Sequence, residues 1–116
     1  MKYWIIFWLW FLWIAYLCFM PSVPSPPAKI PHLDKIVHAF LFFILQGLAL
    51  WAIVKNKQKL KLTVYLQYII ALLFYAIIIE IIQHYYIKGR SGDLLDVLAD
   101  ITGAILASFL FSKFIR

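Results

Sequence analysis

The chain has 116 residues, of which 66% are hydrophobic and 14% charged, and its mean hydropathy is +0.91. A soluble domain of this size is nearer half apolar and a quarter charged; with so few charges to coat a surface in water, lipid becomes the solvent for most of the chain. The net charge of +6 does not point to nucleic acid, because the basic residues sit in short gaps between apolar runs, as topology signals do.

Four apolar runs follow one another, and each is predicted to be a transmembrane helix, over about residues 3–20, 33–54, 62–87 and 93–112. Each is close to the ~20 residues that span a ~30 Å hydrocarbon core at ~1.5 Å per residue. Barrel strands are excluded, since these runs are about twice too long and do not alternate. In lipid a helix satisfies its own backbone hydrogen bonds, so helix is the forced reading. The fold class expected is an all-α bundle of four transmembrane helices forming a single domain over 1–116. The single cysteine, Cys18, excludes an internal disulfide and carries no redox information.

The first run carries Trp4, Trp8, Trp10 and Trp13, read as lipid-facing or interfacial residues. It begins with a basic residue, as a signal peptide does. It is followed by Pro21 rather than an A-x-A site, and bulky Leu17 precedes Cys18, so an uncleaved helix is expected. The segment 21–31 holds all five prolines and is expected to run extended. The second and third runs are joined by 55–61, with four lysines in seven residues. The third and fourth are joined by a short turn over 88–92 with Lys88, Arg90 and two glycines.

With four spans both termini share one side. That side holds Lys2, Lys55, Lys57, Lys59, Lys61, Lys113 and Arg116, seven basic residues against the four of the other side, Lys29, Lys35, Lys88 and Arg90. The positive-inside rule then places both termini in the cytoplasm and the proline-rich segment and the 88–92 turn outside.

On this topology all five acids, Asp34, Glu80, Asp93, Asp96 and Asp100, fall in the outer part of the helices, together with His32, His38, His84 and Arg90. Residues three, four and seven apart share a helix face. Asp34 and His38 therefore share one face of the second helix, Glu80, Gln83 and His84 one face of the third, and Asp93, Asp96 and Asp100 one face of the fourth, continued by Gly103 and Ala107. The cytoplasmic halves read as almost fully apolar. A carboxylate such as Glu80, about 12 Å below the outer turn, costs roughly 2.5–3.5 kcal/mol unless paired or wetted, so it must face the bundle interior. One shared polar site near the outer leaflet is expected, with Asp34 or His38, Glu80 and Asp96 in a common pocket.

Plainer roles stand beside the functional one. Asp34 and Asp93 also fit helix N-caps, whereas Asp96 and Asp100 lie too deep for capping. Glu80 and Gln83 also fit interhelical glue, and Gly103, Ala104 and Ala107 fit close packing. His84, with Tyr85 and Tyr86, reads as interfacial, and His32 as a loop residue.

Three motifs in order resemble the VanZ-like family of small membrane proteins: Asp34-Lys35-x-x-His38-x-Phe40, Glu80-x-x-Gln83, and Arg90-Ser91-x-Asp93-x-x-Asp96-x-x-Ala99-Asp100-x-x-Gly103. The first helix followed by a proline-rich segment is also similar. The chain departs from the family at Asp100, where asparagine is usual, and at Ala107, where a second glycine is common. The resemblance implies a multi-pass protein of the bacterial cytoplasmic (inner) membrane. The founding member is associated with resistance to teicoplanin, a lipid-tailed glycopeptide acting on cell-wall precursors outside the membrane.

Three functions fit these residues. The first is binding or remodelling of a cell-envelope amphiphile at the outer leaflet, such as a lipid head group, a lipid-linked wall precursor or a lipoglycopeptide. Its binding residues would be Asp34, Lys35, His38, Glu80, Gln83, Arg90, Asp93, Asp96 and Asp100, with Lys35 and Arg90 placed for phosphate. The second is a membrane-embedded metal-assisted hydrolase, with Glu80, Asp96 and His38 as candidate catalytic residues and His84 a further oxygen-or-nitrogen ligand type. No H-E-x-x-H spacing and no nucleophile motif accompanies them, so no metal or cofactor is assigned. The third is a proton- or ion-coupled transporter, which the apolar cytoplasmic halves oppose unless a homo-oligomer supplies the path. The partners expected are the lipid bilayer, a lipid-linked head group and further copies of the chain, with no nucleic acid.

Overall fold

The computed structural model describes residues 2–19, 33–86 and 94–114, without the side chains of residues 33, 34 and 114. Four helices make up all the regular structure of the described residues: α1 (Lys2–Phe19), α2 (Leu33–Lys55), α3 (Leu62–Tyr86) and α4 (Leu94–Phe114). All four are long and apolar enough to cross a membrane. α2 and α4 run one and two residues past the ends read from the sequence. Lys55 and Lys113 are good helix formers, and their long stems let the ammonium groups reach the interface while the backbone stays helical.

The termination of α2 has a clear cause. The N–H of Gln58 bonds the carbonyl of Ile53 at 3.1 Å and the N–H of Lys57 bonds that of Val54 at 3.0 Å, with Lys57 at a φ of 61°. This is the Schellman pattern, which uses one left-handed residue to satisfy the last carbonyls. The chain then reverses, and the carbonyl of Lys61 accepts from Val64 and Tyr65 to open α3.

The packing follows from contacts at nearly constant sequence offsets. α2 and α4 meet through His38 with Asp100 and Gln46 with Ser108, both 62 residues apart. A constant difference, rather than a constant sum, means that the two helices run parallel. α1 and α3 are also parallel, through Trp4 stacked on Tyr68 and Phe11 stacked on Tyr75. α1 and α2 are antiparallel, joined by Tyr3 with Trp51 and by the Trp10 indole, which donates to the carbonyl of Leu41 at 2.9 Å. Up-and-down connectivity through a membrane requires this alternation.

α2 is the central helix, with Phe42, Leu45, Ala49 and Leu50 wholly buried. Gly103 is the reason α4 can press against it. A Cβ there would run into the backbone carbonyl of Ala39 and the amide of Phe43. Ala104 and Ala107 continue that narrow stripe and are buried. Small residues permit such close approach between helices in lipid.

The distribution of polarity is inverted relative to a soluble protein. Large apolar side chains cover the outside, among them Ile5, Leu9, Leu12, Phe74, Leu98 and Phe109, while His38, Gln46, Glu80, Gln83, Asp96, Asp100 and Ser108 are buried. An apolar exterior is soluble in lipid, and buried polar groups find partners only inside the bundle.

The tryptophans of α1 divide. Trp8 and Trp13 are exposed to the lipid-facing side, as the sequence suggests. Trp4 and Trp10 instead pack inward, where an indole ring fills the space beside Tyr68 and an indole N–H finds a backbone carbonyl.

Candidate functional site

The polar faces of three helices converge near the start of α2, the end of α3 and the start of α4. One ligand-type atom each from His38, Glu80 and Asp96 lies within 4.8 Å of the others, and all three residues are buried. Each arrives there by helical geometry. His38 sits just over one turn into α2, Glu80 just under two turns from the end of α3, and Asp96 in the first turn of α4.

Asp100 is one turn deeper on α4, and its side chain is wholly buried. His38 Nδ1 and Asp100 Oδ1 are 2.9 Å apart. With Asp100 ionised its carboxylate can only accept, so Nδ1–H is the donor of that pair, and Nε2 faces Asp96. Nε2 stands 3.8 Å from Asp96 Oδ2. The other oxygen of Asp96 takes Lys35, whose ammonium donates to Oδ1 at 3.3 Å. Asp100 Oδ2 is buried and has no hydrogen-bond partner among the described residues. The result is one connected group, Lys35–Asp96–His38–Asp100, with Glu80 brought to it from α3.

Of the residues read from the sequence as forming the site, the structure brings Lys35, His38, Glu80, Asp96 and Asp100 together. Gln83 is buried on the same face of α3, but its amide donates to the carbonyl of Cys18 at 2.7 Å and so ties α3 to α1. The side chain of Asp34, and all of His32, Arg90 and Asp93, lie outside the described residues. His84 is exposed and packs edge-on against the ring of Tyr85.

A groove of about 300 Å³ runs along the seam of α3 and α4, lined by Ile77, Glu80, Ile81, His84, Leu94 and Val97. It is a shallow, open, mostly apolar depression on the lipid-facing surface, with the buried Glu80 among its lining residues. A larger groove of about 550 Å³ lies at the opposite end of the bundle, lined by Val54, Gln58, Lys59, Leu60, Tyr65 and Ser112. It contains none of the acids, so we place the chemistry at the first groove.

One buried polar contact has no counterpart in the sequence reading. The Gln46 amide donates to the Ser108 hydroxyl at 2.9 Å, and that hydroxyl donates to the carbonyl of Ala104 at 3.0 Å. The pair lies eight residues, about 12 Å, along the same α2–α4 seam from His38, so the halves expected to be almost fully apolar carry a polar clamp. Gln46 lies eight residues past His38 and Ser108 eight past Asp100, so both continue the polar stripes, but a neutral amide or hydroxyl in an apolar run carries no charge that demands a partner. Only the constant offset of 62 residues joins them.

A family model described as VanZ/LLP1 matches residues 3–116, essentially the whole chain. Comparison with curated proteins gives no match, and comparison with solved structures gives none either.

Proposed function

This chain belongs to the VanZ/LLP1 family and is a multi-pass membrane protein, and from that premise we propose that it binds the polar head of a membrane amphiphile. The head group sits at the His38–Glu80–Asp96 cluster, and the apolar tail lies along the α3–α4 groove. The observation that carries this reading is the groove itself, a shallow apolar depression open to lipid whose lining includes the buried acid Glu80. A tail in the membrane already stands beside such a groove, so only the head must leave the interface and enter the bundle.

The chemistry of the cluster suits a head group bearing both charge and hydrogen-bond donors. Lys35 offers a cation to phosphate or carboxylate, and the carboxylates of Glu80 and Asp96 accept from hydroxyl, amide or ammonium groups. A purely anionic head would meet these acids as like charges. This favours a glycosylated, peptidyl or zwitterionic amphiphile, such as a lipid-linked wall precursor or a lipoglycopeptide. In this reading the termini are cytoplasmic, the cluster faces the outer leaflet of a bacterial inner membrane, and glycopeptide resistance is one outcome it accommodates. Ionisable groups concentrated at one end of the seam support a binding site in one leaflet more than a relay across both.

Mass spectrometry of protein released from nanodiscs tests the binding. An amphiphile bound to the wild type should be depleted at least several-fold in Glu80→Gln and in Leu94→Trp, whose exposed position in the lining lets the larger ring cover the groove. Equal retention in both variants would sink the proposal. The topology is tested separately in a Cys18→Ser background. An impermeant thiol reagent should label intact cells carrying Gly89→Cys and spare those carrying Gln58→Cys. The reverse pattern would move the site to the cytoplasmic leaflet.

A further inference from the structure

We infer that His38, Glu80 and Asp96 form a binding site for one divalent first-row metal ion of the zinc class, with Asp100 as the residue that orients the histidine. The three ligand types come from three different helices, and their ligating atoms lie within 4.8 Å of one another. Ligands on a tetrahedral ion with ~2.0–2.1 Å bonds stand about 3.3 Å apart. His38 Nε2 and Asp96 Oδ2 are already at 3.8 Å, so closure needs only rotamer-scale adjustments of side chains on fixed helices. One imidazole with two carboxylates is a hard-to-borderline donor set, which suits zinc, iron(II) or manganese(II) and not a soft thiophilic ion.

Asp100 supplies an independent observation. Metal-bound histidines hand their second ring N–H to a carboxylate or a carbonyl, which fixes the tautomer and aims the lone pair. Here Asp100 Oδ1 takes that role on Nδ1 at 2.9 Å, and Nε2 is the nitrogen turned toward Asp96. Asp100 is itself wholly buried, and its second oxygen has no hydrogen-bond partner among the described residues. Asp100, wholly buried with that unsatisfied oxygen, stands with Asp96 beside the Lys35 ammonium, and a divalent cation held there adds positive charge to that carboxylate pair. Lys35 occupies Asp96 Oδ1 and so leaves Oδ2 directed at the same centre as the histidine. Three protein ligands leave a fourth position vacant on a tetrahedral ion, as in sites that take a water or a substrate atom. Glu80 also lines the α3–α4 groove, so one of the three ligand residues borders the lipid-facing side.

This inference stands apart from the amphiphile reading, because metal can be measured with no lipid identified. The test uses the full chain in detergent, stripped with a chelator, reloaded with zinc sulfate, desalted and assayed for metal per chain. The wild type should retain one zinc, and His38→Gln and Glu80→Gln should retain less than a tenth of that. Ser108→Ala should retain the full amount, since Ser108 lies eight residues, about 12 Å, along the seam from Asp100 and touches none of the three ligands. Asp100→Asn should still load at saturation, with affinity weakened about 10–100-fold. Cobalt(II) loaded in place of zinc should give the visible bands of a four-coordinate nitrogen–oxygen site, lost in His38→Gln. Size exclusion establishes that each variant is folded; should His38→Gln misfold, Asp96→Asn replaces it. No retained metal in the wild type overturns the inference, as does equal retention in folded His38→Gln and Glu80→Gln. A metal-free wild type that still carries a bound amphiphile would overturn this site and leave the head-group reading intact.

Discussion

The two polar contacts across the α2–α4 seam make a controlled comparison. Both join residues 62 positions apart, both are buried, and both lie on the same face of the same parallel helix pair. At the Gln46 end the partners are neutral, and the Ser108 hydroxyl both accepts from Gln46 and donates to Ala104. At the His38 end the partners are ionisable, and Lys35, Asp96 and Glu80 gather around them from three helices. A clamp between helices needs only the first kind of chemistry. Buried charges are costly in a membrane helix unless paired, so gathering several from three helices at one end is poorly explained by packing alone. The contrast separates glue from site within one interface.

The largest effect that would sharpen this contrast is expected at Asp100. Asp100→Ala leaves the His38 N–H without its acceptor inside the bundle, at about 1–3 kcal/mol for the unsatisfied donor, and opens a cavity at a wholly buried position that adds to it. Unfolding in graded detergent–denaturant mixtures should show that loss, while Ser108→Ala should lose far less. Equal losses at the two positions would erase the distinction between the ends.

Next in size is Gly103→Ala, which acts on both contacts at once. The new Cβ meets the carbonyl of Ala39, a backbone atom that cannot swing aside. α2 and α4 must part, at a cost of at least the roughly 1–3 kcal/mol typical of overpacking. Both the thermal midpoint in detergent and the zinc content should fall together. A variant with wild-type stability would show that the helices have slack at this crossing.

Much of this organisation is legible in the sequence, for identifiable reasons. Apolar runs of membrane length dictate helices, because lipid leaves the backbone no other partner. The spacing of Asp96 and Asp100, and the single polar stripe of Glu80 and Gln83, follow helical periodicity, so their inward faces can be read directly. The convergence of His38, Glu80 and Asp96 follows from stripes at similar depth on three helices. What sequence spacing cannot reveal is any contact whose partner is a main-chain atom. Gln83 shares a face with Glu80, yet its amide goes to the carbonyl of Cys18, and Trp10 goes to that of Leu41. Every residue carries such a carbonyl, so no residue type marks the one that will be used. Nor does a lone Gln46 or Ser108 announce its partner, since pairing depends on the helix register that Gly103 permits.

The smallest effect, and the most discriminating, is expected when the neutral clamp is removed whole. In Gln46→Leu combined with Ser108→Ala, neither partner is left buried and unsatisfied, and the Gln46 oxygen that lacks a hydrogen-bond partner among the described residues disappears as well. Interhelical hydrogen bonds in membrane proteins average about 0.6 kcal/mol, and replacing both partners with apolar groups recovers part of even that. The double variant should therefore unfold within about 1 kcal/mol of the wild type. Its zinc content and its bound amphiphile should be unchanged, because no group of the His38 cluster is touched. Loss of either ligand at preserved stability would mean that the polar seam works as one unit from His38 to Ser108, and the division of the interface into glue and site would have to be abandoned.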